Sequence, residues 1–107
     1  MQNDSEELFI KVDKVFYRVH ILDICYLKSE RDFVRIITTD KKHLVLQNLK
    51  YYESILPYPP FIRVHKSFII NLKKIDMIFG NVARIGDLDI PIGRTYRESL
   101  LSLIEQK

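Results

Sequence analysis

Phe61-Ile62-Arg63-Val64-His65-Lys66-Ser67-Phe68-Ile69-Ile70-Asn71-Leu72 alternates between two chemistries within one short stretch. Phe61 to Val64 reads as a strand, His65-Lys66 is a polar interruption, and Phe68-Ile69-Ile70 is a second apolar run. Two explanations fit the interruption. A strand that surfaces briefly and returns to the core needs polar residues at the turn. A polar turn carrying two cations and a hydroxyl is also a tether for phosphates or base edges. Asn71 is suited to cap the turn that follows.

Outward from this stretch, the chain reads as short strands. Leu8, Ile10 and Val12 alternate with Lys11 and Asp13. Val15, Tyr17 and Val19 repeat the pattern after a tight turn at Asp13-Lys14. A more buried run covers Asp23 to Leu27. The polar break Lys28-Ser29-Glu30-Arg31-Asp32 then leads to a β-branched run from Phe33 to Thr38, and a fifth strand is expected over His43 to Leu46. The period changes at Asn48, a competent N-cap, where Leu49, Tyr52 and Leu56, with Ile55 beside them, mark one face of a short helix. Pro57-Tyr58-Pro59-Pro60 ends it. Beyond the central stretch, strands are expected over Ile75–Phe79, Val82–Ile85 and Leu88–Ile92. Gly80-Asn81 and Gly86-Asp87 supply turns that favour positive φ. Thr95 and Glu98 have capping-box spacing, and Tyr96, Leu100, Leu103 and Ile104 form the stripe of a terminal helix. The expected fold is mostly β: an elongated sandwich of small antiparallel sheets, one short central helix and a C-terminal helix. Residues 1–7 read as a flexible lead or linker remnant, and 8–107 as one domain.

Composition narrows the function. The 107 residues carry a net charge of +3, which permits an anionic partner without requiring one. The polar, acidic start is unlike a signal peptide, and no apolar stretch reaches membrane-span length. The Asn3-Asp4-Ser5 glycosylation pattern therefore lacks a secretory context, and the expected location is cytoplasmic. Cys25, the sole cysteine, sits in an apolar run and excludes a disulfide framework. His20, His43 and His65 occupy separate segments without metal-ligand spacing. Asp87 and Asp89 read as solvated acids beside a turn, and Gly80, Gly86 and Gly93 are too dispersed to cradle a phosphate. No enzyme, metal site or cofactor is expected.

Two further polar segments match the central one in character. Arg94 and Arg97 flank a helix N-terminus, where cations are unfavourable unless an anion neutralises them; both guanidinium groups also have the option of facing water. Ser29-Glu30-Arg31-Asp32, with Arg35 behind it, taken alone is an ordinary hairpin tip.

The segment Arg63-Val64-His65-Lys66-Ser67-Phe68-Ile69-Ile70-Asn71-Leu72 closely resembles the signature of LytTR-type DNA-binding domains. Ile24-Cys25-Tyr26-Leu27-Lys28-Ser29 is similar to that family's early strand, and Ile90-Pro91-Ile92-Gly93-Arg94-Thr95-Tyr96-Arg97 to its closing block. The resemblance runs from about residue 8 to 105. It implies a bacterial response-regulator output domain that lays loops, not a recognition helix, into successive major grooves of double-stranded DNA. By position it assigns base contacts to Arg31 or Asp32, to Lys66 and to Arg94. Arg63 and Arg97 become backbone contacts, His65 and Ser67 hold the loop with Ser67 also in reach of a backbone phosphate, and Asn71 belongs to the turn. Gly93 departs from the serine frequent in the family. The expected partners are duplex DNA, a second copy on repeated sites, and an upstream receiver or sensor domain in a two-component or membrane-sensor-linked regulator. The alternatives are a protein-interaction domain or a single-stranded nucleic-acid binder; the latter needs exposed aromatics, whereas most aromatics here fall on stripes read as core-facing.

Overall fold

In the computed structural model, residues 6–105 are described. A hairpin of β1 (Glu7–Val12) and β2 (Val15–His20) opens the chain. β3 (Ile24–Glu30), β4 (Phe33–Thr38) and β5 (Lys42–Leu46) follow, then α1 (Leu49–Ile55). β6 (Phe61–His65) and β7 (Phe68–Asn71) come from the central stretch. β8 (Met77–Phe79), β9 (Val82–Ile85), β10 (Leu88–Pro91) and α2 (Arg94–Glu105) complete the order. All pairings are antiparallel: a two-stranded sheet, a three-stranded sheet ordered β10-β9-β8, and a central five-stranded sheet ordered β5-β4-β3-β7-β6. The mostly-β architecture expected from the sequence is the one observed.

The central stretch explains the layering. Successive side chains of a strand point to opposite faces of its sheet. Ile69 and Phe61 accordingly join one core with Ile10, Val19, Leu27, Val34, Ile36, Leu49 and Tyr52, which covers one face with the first hairpin and α1. Ile70, Ile62, Val64 and Phe68 join a second core with Ala83, Ile85, Ile90 and Leu100, beneath the three-stranded sheet and α2. β7 is buried along its whole length because both of its faces are covered.

The turn residues behave as the chemistry requires. Asp13 adopts φ 58°, Gly80 58° and Gly86 61°, each closing a tight hairpin. Asn48 caps α1 by accepting the Tyr51 amide at 2.8 Å.

Several boundaries differ from expectation. Of the lead expected over 1–7, residues 1–5 lie outside the described residues, while Glu7 already pairs with His20 in β1. The break expected over Lys28–Asp32 shrinks to a two-residue turn, because Lys28 to Glu30 pair with Phe33 to Arg35 and continue β3. Thr95 is not a helix cap, since α2 starts at Arg94 and Thr95 lies inside its first turn. The expected aromatic burial also fails in part: Phe9, Phe16, Tyr17, Phe33, Tyr51, Tyr58 and Phe79 are exposed.

Candidate nucleic-acid interface

Antiparallel pairing puts the β3–β4 and β6–β7 turns at the same end of the central sheet, since β3 and β7 are neighbours and run in opposite directions. The Ser29 amide donates to the Ser67 carbonyl at 2.9 Å and ties the two turns together. On the far side of the β6–β7 turn, the Gly93 amide donates to the Val64 carbonyl at 2.7 Å and holds the start of α2 against β6. Arg31 and Asp32, then Lys66, then Arg94 therefore occupy adjoining segments along one end. Neighbouring strands are spaced by about 4.8 Å, so this row is only a few strand widths long.

The cations in the row fall into two groups. Arg31, Lys66 and Arg94 are exposed, and their side chains make no hydrogen bond or ion pair among the described residues. Arg31 sits at a turn tip with φ 57°. Asp32 is exposed beside it. Arg63, expected as a phosphate anchor, is committed internally. Its Nε donates to the His65 carbonyl at 2.9 Å, Nη2 to the Lys66 carbonyl at 2.6 Å, and Nη1 to Glu53 Oε1 at 2.8 Å. Arg97, also expected on the backbone, donates through Nη1 to the Gly80 carbonyl and so links α2 to the β8–β9 turn. Both arginines hold the interface's scaffold together.

The β6–β7 turn has a further brace. The Ser67 amide donates to His65 Nδ1 at 3.0 Å, so the neutral ring carries its proton on Nε2. The His65 ring stacks edge-on against Phe68, 5.8 Å between centroids. Ser67 is half-buried, and its backbone serves both neighbours. Asn71 is fully buried at the opposite end of β7, as a structural residue: it donates to the Ile24 carbonyl and accepts from the Lys73 amide, both at 2.9 Å.

At the β3–β4 turn, Arg35 grips Glu30 through two bonds of 2.7 and 2.8 Å. Those bonds hold the Glu30 carboxyl below the ordinary glutamate range. Arg35 is thereby neutralised locally, which leaves Arg31, beside the exposed Asp32, as that turn's cation without a side-chain partner among the described residues. Gly93 allows the close approach of α2: a Cβ there would lie 3.1 Å from the Tyr96 ring and 3.7 Å from the Val64 carbonyl oxygen. The commitments of Glu53, Arg63 and Arg97 escaped the sequence reading because their partners are backbone carbonyls or residues ten or more positions away.

Among the described residues no group of His, Cys, Asp and Glu is placed to hold a metal ion, and no helix is long and apolar enough to cross a membrane.

Comparison with known proteins bears on the family and the fold. The profile of the LytTr DNA-binding domain matches residues 14–105. The sensory transduction protein LytT of Bacillus subtilis is 33% identical over 106 residues, covering 94% of this chain and 44% of that protein. The transcriptional regulatory protein YpdB of Escherichia coli K12 is 31% identical over 101 residues, covering 88% of this chain and 41% of that protein. The chain thus spans less than half the length of these relatives. A solved LytTr DNA-binding domain, from a methyl-accepting/DNA response regulator of Bacillus cereus, superposes with a TM-score of 0.82 at 20% identity. It covers 92% of this chain and 96% of the other.

Proposed function

The chain belongs to the LytTR DNA-binding domain family, and from that premise we propose that it recognises duplex DNA through the row of turns at one end of its central sheet. Arg31, Lys66 and Arg94 are the side chains that reach base edges, with Asp32 as an acceptor for a cytosine amino group. The observation carrying this reading is that Arg31, Lys66 and Arg94, three exposed cations from sequence-distant segments with no side-chain partner among the described residues, share one end. Arg63 and Arg97 contribute by fixing the segments that carry Lys66 and Arg94, and Ser67 by its backbone.

The domain starts no later than Glu7 and serves as the output module of a cytoplasmic transcription regulator. Relatives more than twice as long leave room for an upstream receiver or sensor domain. A second copy on repeated half-sites fits the small reading row. The chemistry belongs to binding and not to catalysis.

The test is equilibrium binding to a duplex selected from a random-sequence pool, across a salt series. Log affinity should fall linearly with log salt, by about 0.9 per phosphate contacted. Absence of any preference between the selected and a scrambled duplex would overturn the reading.

One observation favours a second reading, single-stranded nucleic-acid binding. Phe9 and Phe16 are 60% and 64% exposed on the outer face of the first hairpin, with Arg18 and Lys11 over their rings. Stacking platforms of this kind suit unpaired bases. Single strands that compete as well as the selected duplex, together with loss of binding in Phe16→Ala, would support it.

A further inference from the structure

The side chain that commits Arg63 is on a different element from the turn that Arg63 holds. Glu53 lies on α1, which packs against β6, and its Oε1 accepts from Arg63 Nη1 at 2.8 Å. Arg63 directs its other two nitrogens to consecutive carbonyls, those of His65 and Lys66. A planar guanidinium whose edges are engaged on both sides has a fixed orientation, unlike a flexible ammonium. The Arg63 side chain is only 20% exposed, while Glu53 is 49% exposed. The arginine is thus held in the fold, and its anchor sits at the surface. The peptide units on either side of Lys66 are oriented by this contact, and with them the Cα–Cβ direction from which the lysine departs.

From this geometry we infer that Glu53 is a specificity-positioning residue: acting through Arg63, it sets the β6–β7 turn in the conformation that aims Lys66 at a base edge. The inference rests on the DNA-binding reading above and adds to it a residue that touches no DNA. Removing the anchor leaves Arg63 free to swing toward solvent, and the Lys66 turn then samples several orientations. Attraction to any duplex survives, because no cation is lost. What declines is discrimination, which depends on placing the side chain to within a fraction of an ångström.

Glu53→Ala and Glu53→Gln change the net charge equally and differ in whether a carbonyl acceptor remains for Arg63 Nη1. Each is compared with the wild-type chain on the selected duplex and on a scrambled duplex of the same length. Glu53→Ala should lower the ratio of the two affinities about fivefold, whereas Glu53→Gln should keep it within about twofold of wild type. The salt slope should be the same in both variants. Arg63→Lys keeps the charge but not the fork, and should lose at least about tenfold in the same ratio; an Arg63 acting as a simple phosphate anchor would tolerate lysine. Independently of DNA, the amide resonances of Lys66 and Ser67 should shift in Glu53→Ala and stay in place in Glu53→Gln. Equal ratios and unmoved amides in both glutamate variants, with the wild-type preference intact, overturn this inference alone. A wild-type chain with no preference overturns the parent reading and this one with it.

Discussion

The two ends of the central sheet are built from similar turns, yet they spend their polar groups differently. At the end holding Thr38 and Asn71, those two polar side chains are used internally, and the exposed cations without a side-chain partner among the described residues are lysines, Lys41, Lys42 and Lys73. The Thr38 hydroxyl accepts the Lys41 amide at 3.0 Å, and the Thr39 amide donates to the Asp23 carbonyl. Asn71 spans β3 and the turn after β7. The nearby surface mixes Arg18, His20, Asp23, Asp40 and Lys41, so charges of both signs lie side by side there. At the other end the backbone is just as fully braced, but Arg31, Lys66 and Arg94 extend from it without partners among the described residues. One end closes the fold and, among the described residues, leaves lysines without partners beside nearby acids; the other, open end leaves two arginines and a lysine. Net charge alone, at +3, would not have separated them.

The largest test of that contrast is Asn71→Ala. The substitution strands the buried Ile24 carbonyl and removes the acceptor of the part-buried Lys73 amide, which costs on the order of 3 kcal/mol. A urea or thermal melt should show the loss. Protein that stays folded below the transition should keep its preference for the selected duplex, since the proposed reading row lies at the other end. A stable variant with altered preference would reverse the roles of the two ends.

Much of this division was legible in the residues. The β-branched run Phe33–Thr38 and the strand Val82–Ile85 begin and end where their pattern predicts. Asn48, Gly80 and Gly86 act through local backbone chemistry that sequence reports directly. Where the fold departs from the reading, a long-range partner decided. Lys28-Ser29-Glu30 looks like a loop by composition, but it is a strand because neighbours pair with it on both sides: β4 takes all three residues, and β7 takes Lys28. α2 starts one residue before the Thr95 capping box because the Gly93 amide is already engaged by Val64, and the Gly93 carbonyl accepts the Tyr96 amide. Which arginines are free was illegible for the same reason: Arg63, Arg94 and Arg97 look equivalent in sequence, and backbone carbonyls elsewhere in the fold distinguish them.

That distinction yields the next two predictions. Arg94→Ala should weaken binding to the selected duplex by roughly 1–3 kcal/mol and relax discrimination at one base pair, with no change in melting temperature. Lys41→Ala, which removes the same charge at the closed end, should leave discrimination unchanged. Equal effects would mean that only total charge matters. Arg97→Ala should differ from both. Loss of its bond to the Gly80 carbonyl frees α2 from the β8–β9 turn, and the chain should be destabilised by about 1 kcal/mol. Binding would fall as a consequence of a loosened Arg94. An Arg97→Ala protein of wild-type stability that weakens on every duplex alike would instead mark Arg97 as a phosphate contact.

The smallest effect concerns acid at the open end. Glu30 has its carboxyl pKa lowered, first by the hydrogen bonds from Arg35, while Arg35 stays charged throughout. A carboxyl whose folded pKa lies below its unfolded value contributes stability that is fully present above the unfolded pKa. It is lost as pH falls through the folded one. The window therefore opens near the ordinary value of 4.5 and extends downward. Asp89, lowered by Arg84 on the three-stranded sheet, has the same sign and overlaps this range. Arg35→Gln isolates the Glu30 share. Carboxyl resonances should place the Glu30 midpoint below the ordinary glutamate value in the wild type and return it toward that value in Arg35→Gln. The stability of the variant should fall less steeply with acid than that of the wild type. Because the pair lies at the surface, the difference in slope will be slight. If the Glu30 midpoint does not move on loss of Arg35, the pair is not formed in solution, and Arg35 joins Arg31 among the cations that this end leaves free.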